Sequence, residues 1–129
     1  MSNFQCVIRK KKMKTDNVVA DKSKAFALRI IKLYKYLCDE KCEFTLSKQI
    51  LRSGTSIGAN VREASRAQSK ADFNSKIAIA LKEAEETSYW LELLFESDYI
   101  SANSFNSIYP ECVELSKILM SISKTETNS

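Results

Sequence analysis

Between Thr45 and Ala67 the chain reads TLSKQILRSGTSIGANVREASRA, and three chemistries share one helical period there. At about 100° per residue, Leu46, Ile50, Ile57, Val61 and Ala64 fall within one narrow arc. Lys48, Arg52, Arg62 and Arg66 gather on the opposite side, and a polar band of Gln49, Ser53, Ser56, Asn60 and Glu63 flanks the apolar stripe. Both glycines of the chain, Gly54 and Gly58, stand four apart between the two faces. Such a segment specifies an amphipathic helix with a core stripe, a cationic stripe and a shoulder without side chains. The shoulder lets a second backbone come close, which offsets the roughly 1 kcal/mol of helix propensity that each glycine costs relative to alanine. A ligand pocket beside the glycines is a lesser alternative.

With two glycines and one proline in 129 residues, turns are scarce and long helices are favoured over a hairpin-rich sheet. That length suits one domain with a core of its own. No apolar run reaches the roughly 18 residues of a membrane span, and the basic N-terminus lacks the apolar stretch of a signal peptide. The expectation is a cytoplasmic protein without a membrane partner. Cys6, Cys38, Cys42 and Cys112 invite a metal or disulfide reading, and Cys38 and Cys42, four apart, can share a helix face. The chain has no histidine, however, and the other two cysteines lie far away in sequence. Reduced thiols serving as small hydrophobes fit better, so neither metal nor cofactor is expected.

The pattern divides the chain into a basic arm over 1–17, a bundle over 18–125 and a loose end over 126–129. The arm carries Lys10, Lys11 and Lys12, and either orders on an anionic partner or frays. Helix one is expected from Asp21 to Cys42, with Phe26, Ala27, Ile30, Leu33, Tyr34, Leu37 and Cys38 inward. Thr45 is placed as the N-cap of helix two, which ends near Ala67. Ser69 and Asp72 read as a capping box opening helix three. Its stripe is Phe73, Ile77, Ala80, Ala84, Leu91 and Phe95, ending near Ser97. Ser101 caps helix four, whose inner side holds Phe105, Ile108, Cys112, Leu115, Leu119 and Ile122, with a kink or restart at Pro110. Short turns favour antiparallel neighbours, hence an all-α, up-down-up-down four-helix bundle.

Charge is lopsided. Residues 1–70 hold 16 Lys and Arg against 6 Asp and Glu, whereas residues 71–129 hold 4 against 10. A basic half suits a nucleic-acid surface, and equally suits basic and acidic helices that attract one another within or between subunits. The row from Lys48 to Arg66 would extend about 27 Å along a helix, enough to follow several phosphates. Arginine grips phosphate oxygens bidentately. No aromatic interleaves the row, so base stacking is not indicated; a merely solvated basic face is the bland alternative. Glu83, Glu85 and Glu86 lack the partners of a bundle di-metal site and read as a solvated or intersubunit acidic face. Without histidine, catalysis is not expected. On the far side of helix three, Ile79, Tyr89, Trp90 and Leu93 make an apolar cluster that adjacent helices partly cover or that forms an oligomer interface; the interface is preferred.

The segment SKQILRSGTSIGANVREASRAQSKADFNSKIAIALKEAEETSYWLELL resembles the small bacterial four-helix-bundle proteins named after 23S ribosomal RNA intervening sequences. That family is similar to the accessory protein of diversity-generating retroelements. The likeness extends from about Asn17 to Ile122; Arg52, Ser56, Ile57, Asn60 and Glu63 match the helix-two pattern, and Tyr89-Trp90-Leu91 the end of helix three. The resemblance implies an antiparallel protomer in a ring-like homopentamer, RNA or DNA as partner, and a reverse transcriptase as protein partner. Pro110 and the arm before Asp16 depart from the shared pattern. Two functions follow as expectations. The first is an oligomeric bundle, not an enzyme, that binds nucleic-acid backbone through Lys48, Arg52, Arg62, Arg66 and the arm lysines. The alternative is a protein-interaction scaffold whose basic and acidic helices pair between subunits.

Overall fold

The computed structural model describes residues 16–128. Four helices follow in order: α1 (Asp16–Lys41), α2 (Leu46–Ala64), α3 (Lys70–Glu96) and α4 (Ala102–Asn128). Each packs on the next in the chain, and α1 closes the bundle against α4 more sparsely. Contacts between the helices fix their directions. Gly54 faces Ile30 while Gly58 faces Ser23, so α2 runs against α1. Arg52 meets Glu83 whereas Glu63 meets Lys76, so α3 runs against α2. Tyr109 reaches Glu92 and Cys112 reaches the carbonyl of Ala84, which sets α4 against α3. The result is the expected up-down-up-down bundle.

The apolar stripes meet at its centre. Phe26, Ile30, Leu37, Ile50, Ile57, Ile77, Leu91, Leu94, Leu115 and Leu119 are fully enclosed. Phe95, Phe105 and Tyr109 stack successively, at centroid separations of 4.5 and 4.6 Å, where α3 hands over to α4. Cys112 lies among these groups, and burial pushes its thiol up to about 12. Cys42 is exposed. Since the thiolate is the nucleophile, iodoacetamide at neutral pH should alkylate Cys42 in the native protein and reach Cys112 only after urea unfolding. Peptide mass mapping reads both.

Two helices are longer than expected: α1 starts at Asp16 rather than Asp21, inside the span assigned to the arm, and α4 runs to Asn128 through the end expected to be loose. The other helix ends follow local chemistry, with three further departures. Ser69 accepts a hydrogen bond from the Asp72 amide at 3.0 Å, and Ser101 accepts one from Ser104 at 3.1 Å. Thr45, however, does not cap α2 with its side chain; its backbone is already in the helical region at φ −102° and ψ −60°. The Glu43 carboxylate takes that role by accepting from the amides of Thr45 (3.1 Å) and Ser47 (2.8 Å). An anion there also complements the helix dipole. Second, α2 stops at Ala64, three residues short of the expected end. The Ser69 cap fixes the start of α3, and residues 65–69 are consumed in reversing the chain.

Third, α4 passes through Pro110 without a restart. Proline removes the bond to the carbonyl four residues earlier. Pro110 and Asn106 both belong to exposed positions of the helix. Packing holds the turns around it: Arg29 of α1 donates to the Ser107 carbonyl (3.2 Å) and hydroxyl (2.9 Å) and pairs with Glu111. The α3–α4 turn closes differently, with Asp98 in the left-handed region at φ 66°. The Tyr99 amide donates to the Leu94 carbonyl and the Asp98 amide to that of Phe95, a Schellman closure built without glycine.

Candidate nucleic-acid interface

Helix α2 is one uninterrupted coil from Leu46 to Ala64, and its apolar stripe is enclosed at Ile50, Ile57, Val61 and Ala64. The opposite face therefore points outward, but its four cations divide into two groups. Lys48 and Arg62 are exposed and have no carboxylate partner among the described residues. Arg66 is likewise exposed and unpaired, yet stands in the turn after α2 rather than on the helix, so the row is broken.

Arg52 behaves differently. Its guanidinium donates to Glu83 at 2.9 Å and to Glu86 at 2.6 Å, forming a fork across the α2–α3 seam. Glu83 is buried, with 10% of its side chain exposed, whereas half of the Arg52 side chain remains in water. The Glu86 carboxyl is held below its ordinary value of 4.5 by the Arg52 hydrogen bond; burial opposes that, and the Trp90 indole N–H assists. Reading Glu83 and Glu86 as a solvated or intersubunit face is thereby corrected: they neutralise an arginine of their own chain. Glu85 alone of the three is exposed. The polar band beside this fork splits as well. Thr87 donates to Ser53 at 2.8 Å in a buried contact between α3 and α2. Ser56 and Asn60 bond carbonyls of their own helix instead, at 2.6 and 2.8 Å.

On the other flank of α2, the glycine shoulder lies against α1. A Cβ at Gly54 would stand 2.8 Å from two carbons of Ile30. One at Gly58 would meet the Ser23 hydroxyl oxygen at 3.3 Å and Ser23 backbone atoms at 3.5 Å. Above Gly58 a cleft of about 270 Å3 opens between the helices, with Lys24 and Arg62 on its two sides. Lys24 went unrecognised in the sequence as a member of this face. Its neighbours Ala20 and Ala27 give a small-residue pattern, but only the bundle shows that they face the glycine.

The Ile79, Tyr89, Trp90 and Leu93 cluster is unevenly exposed. Ile79 and Tyr89 are open to solvent at 39% and 54%, whereas Trp90 and Leu93 are half-buried. The rings of Tyr89 and Trp90 lie 5.3 Å apart. The arm lysines Lys10, Lys11 and Lys12 lie outside the described residues, as does Cys6. Among the described residues, no helix is long and apolar enough to cross a membrane.

The model of the 23S rRNA-intervening sequence protein family matches residues 15–121, most of the chain. A crystal structure described as a protein of unknown function from the S23 ribosomal protein family, from Bacteroides thetaiotaomicron VPI-5482, is 60% identical and superposes with a TM-score of 0.84. That alignment covers 85% of this chain and 98% of the other. No curated protein matches.

Proposed function

Because the chain belongs to the 23S rRNA-intervening sequence protein family, we propose that it is an oligomeric, non-enzymatic bundle that binds the backbone of RNA or DNA. The binding surface is the outer face of α1 and α2 together with the turn that follows. One arrangement carries this reading. Lys22, Arg29, Arg52 and Lys76 are paired with carboxylates, while Lys24, Lys48, Arg62 and Arg66 are exposed without one among the described residues. Exposed lysines without an ion pair among the described residues also stand elsewhere, at Lys32, Lys35 and Lys41 of α1, Lys82 of α3, and Lys117 and Lys124 of α4. What favours the α2 face is that Lys48 and Arg62 follow one helical azimuth, with Arg66 in the turn just beyond and Lys24 across the cleft from Arg62. That arrangement suits phosphate contacts positioning a strand without reading its bases. The arm lysines enter the chain just before α1 and add to the same charge.

A homo-oligomer suits Ile79 and Tyr89, two large apolar side chains on the outer side of α3 that a second copy would cover. The ring-like pentamer, the reverse transcriptase partner and the cytoplasmic setting come into this proposal from the resemblance and composition. The scaffold alternative needs arginines that seek acids on another subunit. Arg52 finds its acids at home, so that alternative would have to use Arg62 and Arg66.

Filter binding of short RNA and DNA duplexes at two salt concentrations tests the proposal. Affinity should fall steeply with salt, the logarithmic slope losing about 0.9 for each phosphate contact removed. Arg62→Glu with Arg66→Glu should weaken binding by about tenfold or more at low salt while light scattering shows assembly unchanged. Unaltered affinity in that assembled double variant refutes the proposal.

A further inference from the structure

The cleft between α1 and α2 joins features that the other exposed cations lack. Its floor is low because Gly58 carries no side chain and α1 passes directly beneath, with Ser23 atoms 3.3–3.5 Å from where a Cβ would stand. Ala27 on one wall and Ala59 on the other keep it open to about 270 Å3. Lys24 of α1 and Arg62 of α2 both line it, so that two cationic residues border one opening from facing helices. Neither has a carboxylate partner among the described residues, and Asp21, one turn before Lys24, makes no ion pair with it. Thr55 also lines the cleft, but its hydroxyl is committed to the Leu51 carbonyl at 2.7 Å. Recognition there rests on charge and shape.

Two like charges across a cleft repel, and an anion between them reverses the sign of that interaction. A tetrahedral oxyanion fits the donors: arginine offers a planar fork and lysine a point charge from the other side. We propose that this cleft seats one phosphodiester of a nucleic-acid strand, held from two sides by Lys24 and Arg62. The seat rests on the functional reading above and narrows it, replacing a diffuse basic row with one defined phosphate position on which the remaining cations extend.

Ala59→Leu separates the two claims, because it fills the cleft without altering charge. Ala59 is exposed on a helix, so the variant should fold, as circular dichroism would check. With a short RNA duplex as probe, Ala59→Leu should weaken binding about tenfold and flatten the salt dependence. Lys24→Gln with Arg62→Gln should lose at least as much, and adding Ala59→Leu to that pair should cost little more. Wild-type affinity in Ala59→Leu, beside weakened binding in the Lys24→Gln, Arg62→Gln pair, overturns the seat and leaves the basic face standing. No duplex binding by the wild type overturns both. Inorganic phosphate that raises the melting temperature of the wild type but not of Ala59→Leu, without duplex binding, overturns the strand proposal in favour of a small phosphorylated ligand.

Discussion

Gly54→Leu should cost the bundle upwards of about 3 kcal/mol, the upper end for forcing atoms into a filled core. The reason is the neighbour. Even the first added carbon would lie 2.8 Å from both γ-carbons of Ile30 and 3.2 Å from its Cβ. Those atoms sit at the root of a β-branched side chain with little torsional freedom in a helix, and Ile30 is fully enclosed. Relief therefore requires α1 to move off α2, which uncovers the stripe both helices share. Gly54→Ala offers the finer measurement. Its propensity gain of about 1 kcal/mol opposes a clash of roughly 1–3 kcal/mol, so a net loss is expected. Gly58→Ala has the same gain against looser contacts of 3.3–3.5 Å. The nearest atom, the buried Ser23 hydroxyl, nonetheless donates to the Ala20 carbonyl at 3.1 Å and must give by a few tenths of an ångström without losing that bond. It should cost clearly less than Gly54→Ala. Urea midpoints at unchanged slope give all three. Combining Gly54→Ala with Ile30→Ala should be less harmful than the two losses summed, since the methyl enters the vacated volume. Equal stability of Gly54→Ala and wild type would mean that the backbones do not approach as described.

The same helix shows what a single sequence can and cannot disclose. Its existence, its enclosed stripe and the need for a close neighbour were legible, because period and residue size are local properties. Which neighbour fills the shoulder was not: Ile30 and Ser23 are ordinary residues of α1 until the bundle sets them against Gly54 and Gly58. The cations mislead for a geometric reason. At about 100° per residue, Arg52 and Arg62 flank Lys48 on opposite sides, some 80° apart. That separation sends Arg52 towards the acids of α3 and Arg62 towards Lys24 of α1. Projected on one helix they look like a row; in the bundle they belong to different seams.

Helix ends followed a similar rule. Ser69 and Ser101 cap as their positions suggest, since a serine at the head of a helix acts within three residues. Glu43 was hidden because it stands outside the usual capping position and reaches forward to two amides. Of the kink or restart expected at Pro110, the restart does not occur, because the cost of proline depends on what holds the turns around it. Nothing local reveals that Arg29 of α1 fastens the turn around it through Ser107 and Glu111.

Arg52→Met should destabilise the protein by about 1–3 kcal/mol, the cost of leaving a charged group unsatisfied in a nearly dry seam. Glu83, with little of its side chain exposed, loses the partner that compensates its burial. The loss should stay below the 3–5 kcal/mol of a wholly buried pair, because Arg52 is half in water and already screened. Arg52→Glu should be worse, since a third carboxylate would face Glu83 and Glu86; reversing this arginine therefore tests folding before it tests nucleic-acid binding. Adding Glu83→Leu to Arg52→Met should restore much of the stability, as apolar replacements of buried pairs do. Acidity gives an independent reading. Glu86 has a depressed folded-state pKa, chiefly from Arg52, so its contribution to stability is complete above the ordinary value of 4.5 and disappears as pH falls through the lower folded value. Trp90, the single tryptophan of the chain, donates to Glu86 at 3.3 Å and reports the event by fluorescence. In Arg52→Met the midpoint of that acid transition should move upward while the protein is still folded. An unmoved midpoint, or an Arg52→Met variant as stable as wild type, would show that the fork does not hold α2 to α3.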